Sequence, residues 1–184
     1  MFHFGVNELR YFNFAETKKI GKNGVKEVVA ALKKRNTLED FITINRQNNR
    51  LCGYDVEVLT KSKNNKGKRI YNYYGLEVKS DRHDVENFFI ETVSQKESDK
   101  LGGFVTTTSD YLMYYFLKQR RLYIFDTKEL QKWIAKMGVG YQQFPVRTPT
   151  GDSYYTTIGI AVPVKDLQDY SLTIDEFFAK IGKN

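Results

Sequence analysis

The chain has 184 residues, with 29 lysines and arginines against 22 aspartates and glutamates, a formal net charge of +7. Its 41% apolar residues, 15% aromatics and three prolines fit a folded domain with its own core and exclude a disordered or collagen-like chain, while no apolar run reaches the ~18 residues of a membrane-spanning helix. The single cysteine, Cys52, allows no internal disulfide and the two histidines, His3 and His83, are too few for an ordinary zinc site. The opening residues MFHFGVNE lack a basic leader followed by an apolar segment, so a cytoplasmic location (host cytoplasm for a viral protein) is expected.

In chain order, residues 24–35, GVKEVVAALKKR, place Val25, Val28, Val29 and Leu32 at helical spacing and gather their cations in the last turn, where they favour the helix dipole. Residues 40–46 read as a strand. Gly53–Leu59 alternates Tyr54, Val56 and Val58 with Asp55 and Glu57, the period of a half-buried strand. KSKNNKGKR, residues 61–69, reads as a hairpin loop, followed by strands over Ile70–Lys79 and Asn87–Val93, so three consecutive strands are expected to form a meander. The run TTSD (107–110) offers an N-cap for YLMYYFLKQ as a short helix, and Leu122–Phe125 suits a buried strand. KELQKWIAKM carries Leu130, Trp133, Ile134 and Met137 at helical spacing, residues 141–153 are loop-like, 154–164 read as a strand and 173–181 as a closing helix. The pattern is a mixed α/β domain.

Asp55 is followed, after 21 intervening residues, by Glu77-Val78-Lys79. Residues two apart on a strand project to one face, so Glu77 and Lys79 point together while Val78 points into the core. If the Asp55 strand pairs with the Glu77 strand, two carboxylates and an ammonium share one end of a sheet. Metal-assisted phosphodiester hydrolysis needs such a set: hard oxygen ligands for Mg²⁺, and a lysine to orient or deprotonate water and neutralise phosphate. A solvent-facing Glu/Lys pair explains the tripeptide without chemistry. Glu91, in the next strand, is either a further metal or water ligand or a strand charge paired with a base. Glu27 is read as part of a solvated helix face, Asp81 as a turn residue and Asp110 as a helix cap. Lysines and arginines cluster around these elements, and Lys61, Lys63, Lys66, Lys68 and Arg69 form the best group for touching phosphates. Most tyrosines, including Tyr71, Tyr73 and Tyr74, read as core.

The order helix, strand with Asp55, strand with Glu77-Val78-Lys79, helix, strand resembles the PD-(D/E)XK nuclease superfamily, whose fold is that of type II restriction endonucleases. The stretch GYDVEV … YYGLEVKSD … NFFIETVSQ … TTSDYLMYYFLKQRRLYIFDTKELQKWI is most similar to small phage and bacterial nucleases of that group. The resemblance covers about residues 50–135, with helix 24–35 as the first core helix and Tyr54 standing where many members have proline. It implies one domain over 1–184: a restriction-endonuclease-like core at about 24–135, built on a central mixed β-sheet flanked by helices, and a C-terminal strand and helix within 154–181. It also implies Asp55 and Glu77 as Mg²⁺ or Mn²⁺ ligands, the Val78 carbonyl as a further metal contact, and Lys79 as the catalytic lysine.

The expected function is thus Mg²⁺-dependent endonuclease action on DNA. The alternatives are a catalytically silent nuclease fold that binds DNA or protein, and an RNA endonuclease on the same scaffold. A double-strand cut or junction resolution calls for two active sites, hence a homodimer, for which the aromatic helix expected at 109–118 offers a surface.

Overall fold

Helical and strand periods alternate along the chain, and the computed structural model describes residues 14–35, 43–46, 53–63, 66–83, 86–150 and 152–182. The first helix, α1 (Phe14–Arg35), starts a full ten residues before the expected stripe because its lysine-rich first half is exposed and lysine is a good helix former. Strands β1 (Thr43–Arg46), β2 (Val56–Lys63) and β3 (Arg69–Asp81) pair antiparallel in that order. The expected strand, hairpin and strand between 53 and 79 are present, but the first strand starts at Val56 rather than Gly53 and runs on to Lys63, so Asp55 stands just before it.

The meander does not continue as expected. Strand β4 (Asn87–Gln95) leaves β3 for a second, antiparallel sheet of order β5-β4-β9-β8, with β5 at Lys100–Leu101, β8 at Gln143–Thr150 and β9 at Ser153–Pro163. Residues 141–153 therefore carry a strand where a loop was expected. In β8, Phe144, Val146 and Thr148 recur at period two through a stretch whose two prolines hide the pattern.

The segment expected as the helix YLMYYFLKQ is strand β6 (Tyr111–Phe116), parallel to β3, and β7 (Arg121–Asp126) completes the first sheet in the order β1-β2-β3-β6-β7. Every residue of β6 is buried. An unbroken aromatic and aliphatic run of that length suits a strand covered on both faces, and reads as helix only if one face is assumed to be wet. The exposed aromatic helix proposed as a dimer surface accordingly does not exist. Among the described residues, the crossover from β3 to β6 contains β4, β5, a 3-10 turn at Lys96–Ser98 and a short helix, α2 (Gly103–Thr106).

Helix α3 (Thr127–Met137) is capped by the Asp126 side chain, which accepts from the backbone N–H groups of Lys128 and Glu129. Short α4 (Val164–Leu167) follows β9, and α5 (Ile174–Ile181) closes the chain with a capping box between Thr173 and Glu176. Two cores share the five-stranded sheet. On one face, Val25, Val28 and Leu32 of α1 and Phe177, Phe178 and Ile181 of α5 pack on Val56, Val58, Leu76, Val78, Met113 and Ile124. On the other, Leu112, Tyr114, Phe116 and Phe125 meet Phe88 and Ile90 of β4, Ile160 and Val162 of β9, and Trp133 of α3. The architecture is α/β, a mixed sheet and an antiparallel sheet flanked by helices, and Glu77 and Lys79 lie on the face turned toward the second sheet.

Candidate active site

The β2–β3 register pairs Val56 with Leu76, and the Asp55 N–H donates to the Leu76 carbonyl at 3.0 Å, which sets Asp55 level with Glu77. The Asp55 carboxylate then turns across the strand end, where Oδ2 accepts from the Val78 N–H at 3.0 Å. Val78 thus gives its side chain to the core and its amide to the site. Lys79 Nζ lies 2.7 Å from Glu77 Oε1. Glu77 is 6% exposed, and its second oxygen, Oε2, is buried with no hydrogen-bond partner among the described residues.

Glu91 reaches the same group from β4. Its pairing with β9 shifts register between Glu91 and Val93, a bulge of the kind that re-aims a side chain at the edge of a site. Glu91 Oε1 accepts from the Gly103 N–H at 3.2 Å. Gly103 in turn backs Lys79: a Cβ there would stand 3.0 Å from Nζ and 3.5 Å from Cε. The Phe104 ring lies 6.0 Å from the ammonium.

The electrostatics follow this crowding. Burial pushes the Glu77 carboxyl above its ordinary range; Lys79 opposes that push, and the charges of Asp55 and Glu91 add to it. For Lys79, burial disfavours the charged form, but Glu77, Glu91 and Asp55 together outweigh it and hold the ammonium above its usual value. Three carboxylates thus act on one lysine. Their oxygen atoms are donors of the kind hard divalent cations take. Among the described residues, no three His, Cys, Asp or Glu groups already close into a metal cage.

The remaining candidates fall elsewhere. Glu27 is exposed and its charge acts on Tyr115, on the opposite face of the sheet from Glu77. Asp81 is a connector: it accepts from the His83 N–H at 2.7 Å and from the Tyr114 hydroxyl at 3.1 Å, and Tyr114 accepts from the Phe89 N–H, tying β3, β6 and β4 together. Asp110 caps no helix; its backbone N–H and its Oδ2 bond the Gly75 carbonyl and N–H, pinning the start of β6 to β3. Lys61 is half-buried, while Lys66, Lys68 and Arg69 are exposed at the far end of the hairpin, roughly 26 Å along the strand from Asp55. The side chain of Lys63, and His3 and Cys52 entirely, lie outside the described residues. Gly103 and the bulge at Glu91 escaped the reading of the sequence; the only signal was the pair Gly102-Gly103, which no spacing rule ties to Lys79.

Comparison with models of known protein families gives no match, and no curated protein matches the chain.

Proposed function

We propose that this protein is a metal-dependent endonuclease that hydrolyses phosphodiester bonds of DNA, with Asp55, Glu77 and Lys79 as its working residues. The observation that carries the proposal is the buried Glu77 Oε2, without a hydrogen-bond partner among the described residues, beside Asp55 and the Lys79–Glu77 pair. A buried acceptor left without a partner costs on the order of 1–3 kcal/mol, and more when charged, so an oxygen in this position is well suited to a cation. Further support comes from the order of elements. A helix, the Asp55 strand, the Glu77-Lys79 strand and a later parallel strand follow the arrangement of the PD-(D/E)XK superfamily, although β4, β5 and α2 stand where that resemblance expects a single helix.

Asp55 and Glu77 would hold Mg²⁺ or Mn²⁺, with Glu91 and the Val78 carbonyl as further oxygen donors. When bound, the ion offsets charge on the phosphate oxygens and makes a nearby water more acidic. The chain supplies the rest. The Val78 N–H fixes the Asp55 carboxylate, Glu77 fixes the Lys79 ammonium, and that ammonium neutralises the phosphate as water adds to phosphorus and one P–O ester bond breaks. The exposed cations Lys66, Lys68 and Arg69 at the hairpin tip draw the phosphate chain toward this face of the molecule.

The test is incubation of the purified protein with plasmid, linear and branched DNA, and with RNA of matched length, in Mg²⁺ and in Mn²⁺. DNA cleavage is expected, with Asp55→Ala and Lys79→Ala each slower by about 10²-fold or more. Variants that cut as fast as the parent overturn the residue assignment. Absence of cutting in either metal, with no Mg²⁺ heat in calorimetry, overturns the activity itself, and cleavage confined to RNA overturns the substrate.

A further inference from the structure

Strand β3 is much longer than its partner β6. Among the described residues, Arg69 to Tyr74 pair only with β2, so the distal part of the β2–β3 hairpin stands as an arm beside the five-stranded core. Its pairing is regular throughout, so Arg69, Tyr71, Tyr73, Gly75, Glu77 and Lys79 share one face. Lys61 stands opposite Tyr71, and Leu59 opposite Tyr73. The face therefore runs unbroken from the carboxylates to the basic tip of the hairpin.

Its aromatic residues are not used as core. Tyr71 is 48% and Tyr73 63% exposed, and among the described residues neither side chain makes a ring, cation–π or hydrogen-bond contact. Other exposed tyrosines do: the ring of Tyr154 takes the Arg147 guanidinium at 4.5 Å, and Tyr170 meets Trp133 at 6.4 Å. At Gly75 the missing side chain is replaced by the Tyr54 ring, whose Cδ1 would lie 2.6 Å from a Cβ there. Rings thus follow one another from the site outward, Tyr54 over Gly75, then Tyr73, then Tyr71, at steps of roughly 6.8 Å. That step is about twice the 3.4 Å rise of a stacked base, which leaves room for a base against each ring. Lys61, Lys66, Lys68 and Arg69 give the arm the charge a phosphate chain requires.

We propose that this face is a track for unpaired DNA nucleotides, with bases stacked on Tyr71 and Tyr73 and the backbone held by Lys61 and Arg69, leading a single-stranded segment to the carboxylate site. The proposal rests on the nuclease reading and narrows its substrate to single-stranded or flap DNA. A duplex hides its base faces between stacked pairs and would use only the cations, leaving the two rings without a role.

The test is fluorescence anisotropy in EDTA, where no cleavage occurs, with a labelled thymidine 20-mer and a blunt duplex of equal length. The full-length parent is compared with Tyr71→Ala/Tyr73→Ala and with Tyr71→Phe/Tyr73→Phe. Both rings are exposed, and thermal melting of each variant verifies the fold. Single-strand affinity is expected to fall about 10-fold or more in the alanine variant, to survive in the phenylalanine variant, and to exceed duplex affinity in the parent. Equal losses on single strand and duplex, no loss in the alanine variant, or no binding of either oligonucleotide overturns the track; the last result, with a protein partner captured through the same tyrosines, reassigns the face. Tyrosine-dependent binding without cleavage in metal leaves the track standing and refutes the nuclease reading. Cleavage that ignores the tyrosines does the reverse.

Discussion

Lys79 is placed by contacts on three sides: Glu77 bonds its ammonium, the Phe104 ring lies 6.0 Å away, and Gly103 leaves the space its Nζ occupies. A methyl group at Gly103 would sit 3.0 Å from Nζ, closer than ordinary van der Waals contact, and the flexible end of the lysine is what must yield. Gly103→Ala is therefore expected to leave the urea midpoint nearly unchanged and to lower kcat on DNA by about 10-fold or more, since small misplacements of a working group are costly. Steady-state kinetics beside equilibrium unfolding separates the two effects. A variant that loses stability and activity in parallel would assign Gly103 to packing alone.

At the scale of elements, the short turn between β7 and α3 joins three parts of the fold through one side chain. Asp126 caps α3 and takes Lys180 of α5 at 3.0 Å. Burial pushes its carboxyl up, but the Lys180 hydrogen bond and the two capping N–H groups outweigh that and hold it below the usual aspartate value. A depressed carboxylate stabilises the folded state at pH above its unfolded value and loses that contribution as the pH falls through the folded one. Asp126→Asn keeps a capping oxygen and removes the charge. The parent is expected to be more stable than Asp126→Asn by about 1 kcal/mol at neutral pH, a value kept modest because the pair is partly solvated. The difference should begin to shrink as the pH falls below about 4, the unfolded value, and vanish only once the pH is below the depressed folded one, as read from urea unfolding across pH. A gap that persists in acid would exclude the charge as its cause. Close approach matters elsewhere in the same layer: α1 lies so near β3 at Gly24 that a Cβ would collide with the Ser80 side chain.

For the whole molecule, the +7 charge is a statement about affinity. If Lys61, Lys66, Lys68 and Arg69 each neutralise one phosphate of a single strand, log K should fall with log salt at a slope of about −3. Lys66→Ala should make the slope shallower by about 0.7. Anisotropy titrations between 50 and 200 mM NaCl measure both, and a slope near zero would remove the hairpin arm from the DNA contact. The basic tip of the arm lies roughly 26 Å from Asp55, so its cations act on phosphates several nucleotides from any bond cut at the carboxylates.

Local pattern carried much of this in advance. The apolar stripe of α1, the alternation in β2, the hairpin, the Trp133 helix and the closing helix were all legible, because each signal is a short-range periodicity that burial on one face imposes. The projection of Glu77 and Lys79 to one side and Val78 to the other was legible for the same reason. What the sequence alone could not decide was anything that depends on which layer an element joins. YLMYYF reads as a helix until it is known to lie between two cores, where a strand buries both of its faces. Strand β4 follows β3 in sequence yet pairs in the other sheet, so Glu91 approaches the site through a bulge and a glycine from across the interface. Tyr71 and Tyr73 have the same composition as the buried tyrosines of β6, and only the length by which β3 outruns β6 leaves them in water. Residue identities set the periods and the charges; the stacking of two sheets, through contacts distant in sequence, decided which side chains meet and which remain exposed.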